Sequence, residues 1–245
     1  MTKKKIKISN IIAFIIGIVC IVGIIYSLTH IINWKKDVDS NKKVKEETNE
    51  KVKLVKEKYT VDFDALKKQN PDTIAYIKVN NTKIDYVVVK GTDNSYYLTH
   101  NFNKEYNIAG WIFGDYRNRF NGTDKNLIIY GHNTKDGSMF GTLIDVLDSK
   151  WQSNKDNLEI TLVTEQGQYK YQVFSTYPIV PEDYYLTTAF SSDEEYLNFL
   201  NELKSRSNNN YNVELTANDK ILTLSSCIGE GEKRVVLHAK LIGVE

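Results

Sequence analysis

The chain has 245 residues with 32 Lys+Arg against 31 Asp+Glu, 41% hydrophobic and 11% aromatic, which excludes wholesale disorder. Four lysines and no acid precede residue 33, so the remainder carries 28 basic against 31 acidic side chains, which excludes the profile of a nucleic-acid binder. Two cysteines are too few for a disulfide framework, and Cys227 alone lies outside the apolar N-terminal stretch that holds Cys20.

Residues 1–10, with Lys3, Lys4, Lys5 and Lys7, read as a cytoplasmic tip. The eighteen residues from Ile11 to Leu28 are uncharged; at 1.5 Å each they reach about 27 Å, enough to cross a hydrocarbon core. No small-x-small cleavage site precedes Trp34, so 11–32 is expected to be a transmembrane signal anchor with Trp34 at the interface. A buried core helix of that length would show a polar stripe. Lysines crowd the leading edge, whereas Lys35, Lys36, Lys42, Lys43 and Lys45 are interleaved with Asp37, Asp39, Glu46 and Glu47, favouring a cytoplasmic N-terminus and an extracytoplasmic domain in the cell membrane.

Residues 33–58 read as a charged helical stalk with sparse apolar positions at Val44, Val52 and Val55. The folded domain is expected over 59–245. It opens with a short helix from Val61 to Asn70, ended by Pro71. Beyond it, short runs rich in Val, Ile, Tyr and Thr predict strands at Ile74–Val79, Ile84–Val89, Trp111–Phe113, Leu127–Tyr130, Leu158–Val163, Tyr169–Thr176, Val213–Leu215, Ile221–Ser226 and Val235–Val244. Glu165-Gln166-Gly167-Gln168 reads as a hairpin turn, and Asn121-Gly122-Thr123 as a turn rather than a functional sequon. The pattern indicates a mainly β fold, an antiparallel sheet closed or nearly closed on itself. Two helices interrupt it. One carries Phe140, Leu143, Ile144, Leu147 and Trp151 as its apolar stripe; the other runs from Asp193 to Lys204, with a Ser192–Glu195 capping box and Tyr196, Leu197, Leu200 and Leu203 inward.

Spacings for zinc, nucleotide, haem or EF-hand calcium binding are absent. What remains is Cys227 with His100, His132 and His238. A thiol needs a base or cation beside it to become a thiolate nucleophile, and acyl transfer needs a donor for the oxyanion. His132 follows Leu127-Ile128-Ile129-Tyr130-Gly131, where a buried strand emerges into a loop. His100 and His238 suit packing or surface roles. Cys227 ends one strand and Arg234 opens the next, so a hairpin around 228–233 sets them opposite each other, with Ser225, Val236, Thr223 and His238 on the same face. Only four arginines occur in the chain. One beside a thiol would stabilise a thiolate or a tetrahedral oxyanion. Taken alone, Cys227 reads as a buried small hydrophobe; with Arg234 across a short turn the two readings weigh equally.

Tyr130-Gly131-His132-Asn133, then Thr223-Leu224-Ser225-Ser226-Cys227, then Lys233-Arg234-Val235-Val236, resemble the sortases, cysteine transpeptidases of Gram-positive cell surfaces. Class B is the most similar, through Asp93-Asn94-x-x-Tyr97-Leu98 and the helix at 193–204. The resemblance, from about Tyr59 to the C-terminus, implies a closed sortase barrel of about eight strands with N-terminal helices, and makes 59–245 the catalytic domain. It implies Cys227 as nucleophile, His132 as acid/base and Arg234 as oxyanion or substrate-positioning cation, without cofactor or metal. Substrate contacts would map onto Asn94, Leu98, Tyr185, Leu186, Ser225 and Ser226. Partners would be surface proteins with a C-terminal sorting motif, a peptidoglycan-precursor or pilin amine, and membrane lipid around the anchor. Three departures concern motif preference: the segment between cysteine and arginine is shorter than in some class B members, Ile228 follows the cysteine where a polar residue is sometimes found, and Pro181 falls where the class contacts a substrate threonine. On the residues alone, a hydrolysing cysteine peptidase and a membrane-tethered scaffold domain stay open.

Overall fold

The computed structural model describes residues 8–180, 182–227 and 234–245. Pro181, Ile228, Lys233, the expected turn over 228–233 and the four leading lysines lie outside the described residues. The chain divides into two units, Met1–Ser40 and Asn41–Glu245. In the first, helix α1 (Ile8–Asn49) exposes its apolar side chains from Ile12 to Ile32, so it is not the buried core of a soluble domain. It is long and apolar enough to cross a membrane.

In the second unit, the end of α1 is not a free stalk. Asn41, Val44 and Thr48, at helical spacing, are buried, and Asn41 Nδ2 donates to Asn107 Oδ1 at 3.0 Å and to the Gly110 carbonyl at 3.1 Å. Nor is the segment helical to residue 58. After Asn49 the chain forms a hairpin of β1 (Val52–Val55) and β2 (Lys58–Val61). Its two turn residues, Lys56 and Glu57, take φ of 48° and 68°. That is the left-handed pair a tight hairpin needs, here without the Asn-Gly signal that usually announces it.

Helix α2 (Phe63–Gln69) is capped by Asp62, whose side chain accepts from the Ala65 N–H, and it buries Phe63 and Leu66. The barrel strands follow: β3 (Thr73–Val79), β4 (Asp85–Val89), β5 (Phe113–Gly114), β6 (Asn126–His132), β7 (Glu159–Thr164), β8 (Gly167–Ile179), β9 (Ile221–Cys227) and β10 (Arg234–Val244). Helix α3 (Ser149–Ser153) precedes β7 and α4 (Asp193–Ser205) precedes β9. The eight strands close in the order β10-β8-β7-β3-β4-β5-β6-β9. All neighbours are antiparallel except β4 with β5 and β6 with β9. The inner faces contribute Ile77, Val88, Ile129, Leu162, Leu222, Leu224 and Leu237 to one apolar core. The outer face of β8, β9 and β10 is also covered. Phe174, Tyr177, Ile221 and Val236 pack under Tyr185 and the Tyr196, Leu200 and Leu203 stripe of α4. Strands apolar on both faces are the sequence signature of this double burial.

Three local expectations differ from the structure. The stripe at Phe140 to Trp151 is not one α-helix: 141–147 is a 3-10 helix, so Phe140, Leu143 and Val146 are fully buried at a period of three while Ile144 is 52% exposed. Val213–Leu215 forms no strand. Its backbone carbonyls accept from ammonium groups, Lys204 on Val213 at 2.7 Å and Lys240 on Glu214 at 2.9 Å. In α4 Ser192 caps as expected, accepting from the Glu195 N–H, but the Glu195 carboxylate turns to Ser191, from whose N–H it accepts at 2.7 Å.

Candidate active site

The site lies where β6 and β9 end together. These strands run parallel, with Asn126 opposite Ile221 through to His132 opposite Cys227, so the last residues of the two strands are adjacent in the ladder. β10 pairs with the other edge of β9, Val236 opposite Ser225 and His238 opposite Thr223. That ladder runs from Lys240 opposite Ile221 to Val236 opposite Ser225, and Arg234 and Cys227 each lie two residues beyond its last pair. Three residues separated by up to 102 positions thus share one end of the barrel because three strands terminate there.

His132 is held from both sides. Its Nε2 lies 2.7 Å from the Leu98 carbonyl oxygen, at the end of the 3-10 turn Tyr96–Leu98. Its own carbonyl accepts from the Phe140 N–H at 2.9 Å. Gly131 before it is required by packing, because a Cβ there would collide with Ile112 and Phe140. The Leu98 oxygen can only accept, so Nε2 carries a proton.

Arg234 opens β10 opposite Ile179, and its side chain is 27% exposed. Its Nη1 donates to the Tyr185 hydroxyl at 3.3 Å and lies 3.9 Å from Asp183 Oδ1. Tyr185 is fully buried and its hydroxyl is 2.9 Å from Ser225 Oγ. Ser226 Oγ faces β10, accepting from the Val235 N–H at 2.8 Å. Leu186, half-buried, follows Tyr185 in the turn Tyr184–Leu186.

Asn94, expected at the substrate, is engaged on both ends of its amide. Nδ2 donates to Asp115 Oδ2 at 2.9 Å, and Oδ1 accepts from the Tyr116 N–H at 3.0 Å. Asp115 was not legible as a site residue. Its side chain is 0% exposed and binds Arg117 through both oxygens at 2.8 and 2.7 Å, and the Tyr130 hydroxyl at 2.8 Å. Burial alone would raise this carboxyl, but the Arg117, Tyr130 and Asn94 hydrogen bonds outweigh it and hold it below the usual carboxylate range. Arg117 also donates to the Leu186 carbonyl at 3.0 Å, so one buried charge ties the Asn94 loop to the Leu186 turn. The only sequence signal was an acid and an arginine two apart beyond a two-residue strand.

The other histidines lie elsewhere. His100 stacks on Tyr96 with centroids 4.0 Å apart. His238 is fully buried between Thr223 and Tyr177, and burial pushes its pKa down to about 3.

Residues 77–242 match the family model described as a sortase domain. The chain is 37% identical over 185 residues to sortase B of Staphylococcus aureus, covering 74% of this chain and 75% of that protein. It is 39% identical over 184 residues to sortase B of Listeria monocytogenes, covering 72% of each. A crystal structure of sortase B from B. anthracis in complex with AAEK1 superposes with a TM-score of 0.76 at 36% identity, covering 84% of this chain and 98% of that one. A closed barrel with a cysteine, a histidine and an arginine on three converging strand ends, matched over most of its length at this identity, establishes that the chain belongs to the sortase family of cysteine transpeptidases, in its class B branch.

Proposed function

We propose that Cys227, His132 and Arg234 carry the transpeptidation, acting on a C-terminal sorting motif of surface proteins. The observation that supports this most is the β6–β9 register, which pairs His132 with Cys227, together with the β9–β10 register that runs Arg234 toward the same point. The Cys227 thiolate attacks the carbonyl carbon before the scissile bond. A C–S bond forms and the carbonyl electrons move onto oxygen, where Arg234 stabilises the charge. Collapse breaks the C–N bond, and His132 protonates the departing amine through Nδ1. In the second half, an incoming amine gives a proton to His132 and attacks the thioester, forming the new amide and returning the thiolate.

Asn94, Leu98, Tyr185, Leu186, Ser225 and Ser226 are the proposed surroundings of the motif. The acceptor is the amine of a peptidoglycan precursor or a pilin lysine. Residues 11–32 anchor the enzyme in the cell membrane in contact with lipid, with residues 1–10 cytoplasmic and 59–245 outside, a topology supported by the four leading lysines. The test is mass spectrometry of the full chain in detergent with sorting-motif peptides and an oligoglycine or hydroxylamine acceptor. The expected result is a peptide–amine transfer product; release of free acid alone, at any acceptor concentration, contradicts the reading.

A further inference from the structure

Thr223 heads the run that ends at Cys227, and its hydroxyl is fully buried in a chain of hydrogen bonds whose direction can be assigned proton by proton. Asn126 Nδ2 lies 3.0 Å from the Tyr185 carbonyl oxygen and 2.9 Å from that of Thr187. Both oxygens can only accept, so the amide orientation is fixed and Oδ1 faces Thr223 Oγ1 at 2.7 Å. That oxygen also only accepts, so the Thr223 hydroxyl donates to it. The lone pairs left on Oγ1 face His238 Nδ1 at 2.9 Å, and Nδ1 therefore carries the ring proton. His238 Nε2 is then the acceptor for the Tyr177 hydroxyl at 3.1 Å, whose oxygen in turn receives the Tyr184 hydroxyl at 2.6 Å. A neutral imidazole is what burial without a charged partner favours.

Both ends of this chain stop on one short segment. Tyr184 is held by its side chain, and Tyr185 and Thr187 are held by their carbonyls. Between those anchors sits the Tyr185 ring, edge-on to His238 with centroids 6.3 Å apart and an interplanar angle of 70°. Its hydroxyl is the oxygen that Arg234 meets. A planar guanidinium stabilises an oxyanion only when its fork is aimed, and supporting groups that fix such a side chain carry much of a site's efficiency.

We infer that Thr223, Asn126 and His238 are positioning residues for Arg234: they hold the Tyr184–Leu186 turn so that the Tyr185 hydroxyl orients the guanidinium. This rests on the reading of Arg234 as the oxyanion-binding cation.

The test is a double-mutant cycle on the full chain in detergent, following formation of the peptide thioester on the enzyme by quenched mass spectrometry. Thr223→Val removes the hydroxyl at nearly constant volume and is expected to lower kcat about tenfold, with KM little changed. Thr223→Ser, which keeps the hydroxyl, recovers most of that rate. In an Arg234→Lys background the planar fork is already lost, and Thr223→Val costs less than twofold. If Thr223→Val does not fold, Tyr177→Phe, which cuts the same chain at the far side of His238, is measured in the same cycle with the same expectation. An equal loss in both backgrounds, or no loss in either, overturns the inference. Wild-type rate in Arg234→Ala overturns the reading beneath it and the inference with it, so the two failures are distinguishable.

Discussion

The Nε2 of His132 and the carbonyl oxygen of Leu98 are 2.7 Å apart, although the residues are 34 positions apart in the chain. The contact places the ring proton on Nε2, and Gly110 lies close against the Leu98 carbonyl. That glycine has φ of +56°, and a Cβ there would collide with the Tyr97 and Leu98 carbonyls. Gly110→Ala, in a left-handed conformation that costs a residue with a Cβ about 1–2 kcal/mol, should displace that carbonyl. The expected result is a kcat at least tenfold lower with KM little changed, measured on peptide cleavage.

Gly131→Ala acts on His132 from the other side. With Ile112 and Phe140 against the missing Cβ, overpacking should cost about 1–3 kcal/mol, read as a lower Tm, and should reduce activity by shifting the strand end that carries the histidine.

Asp115→Asn removes the charge between Arg117, Tyr130 and Asn94. Arg117 is 38% exposed, so water screens part of the pair, and a loss of about 2 kcal/mol is expected rather than the 3–5 kcal/mol of a fully buried one. Because the same charge ties Asn94 to the Leu186 turn, KM for a sorting-motif peptide should rise more than kcat falls. Tm and steady-state kinetics on one preparation check both.

His238 gives the domain an acid sensitivity. Its folded pKa of about 3 lies below the unfolded value near 6.5, so the unfolded chain binds the extra proton between those limits. The stability from the neutral ring is complete above pH about 6.5 and is lost as pH falls toward 3, by up to about 1.4 kcal/mol per pH unit. Urea unfolding from pH 6.5 to 4 should show a shallower pH dependence in His238→Gln than in wild type, by about one proton.

Much of the architecture was legible because runs rich in Val, Ile, Leu and Thr, such as Ile221–Cys227 and Arg234–Val244, mark strands. His132 stands at the end of β6, where its place after a continuous apolar run puts it. What was not legible depends on geometry that sequence spacing does not encode. The 3-10 helix at 141–147 reads as an α-helix because periods of three and 3.6 share their first step, Phe140 to Leu143. Asp115 gains its role from Asn94 and Tyr130, 21 and 15 residues away. The Asn41–Asn49 stretch, charged in sequence, buries Asn41 against Asn107 and Gly110 and Val44 in the apolar core, with Thr48 buried beside them.

The central claim is that Cys227 is the nucleophile. The most direct measurement is intact-protein mass spectrometry of the full chain in detergent, mixed with a sorting-motif peptide and quenched before an amine is added. Wild type should gain the mass of the acyl fragment on Cys227 as the C-terminal fragment is released, and lose it when the amine arrives. Release of that fragment by Cys227→Ala at the wild-type rate would contradict the account.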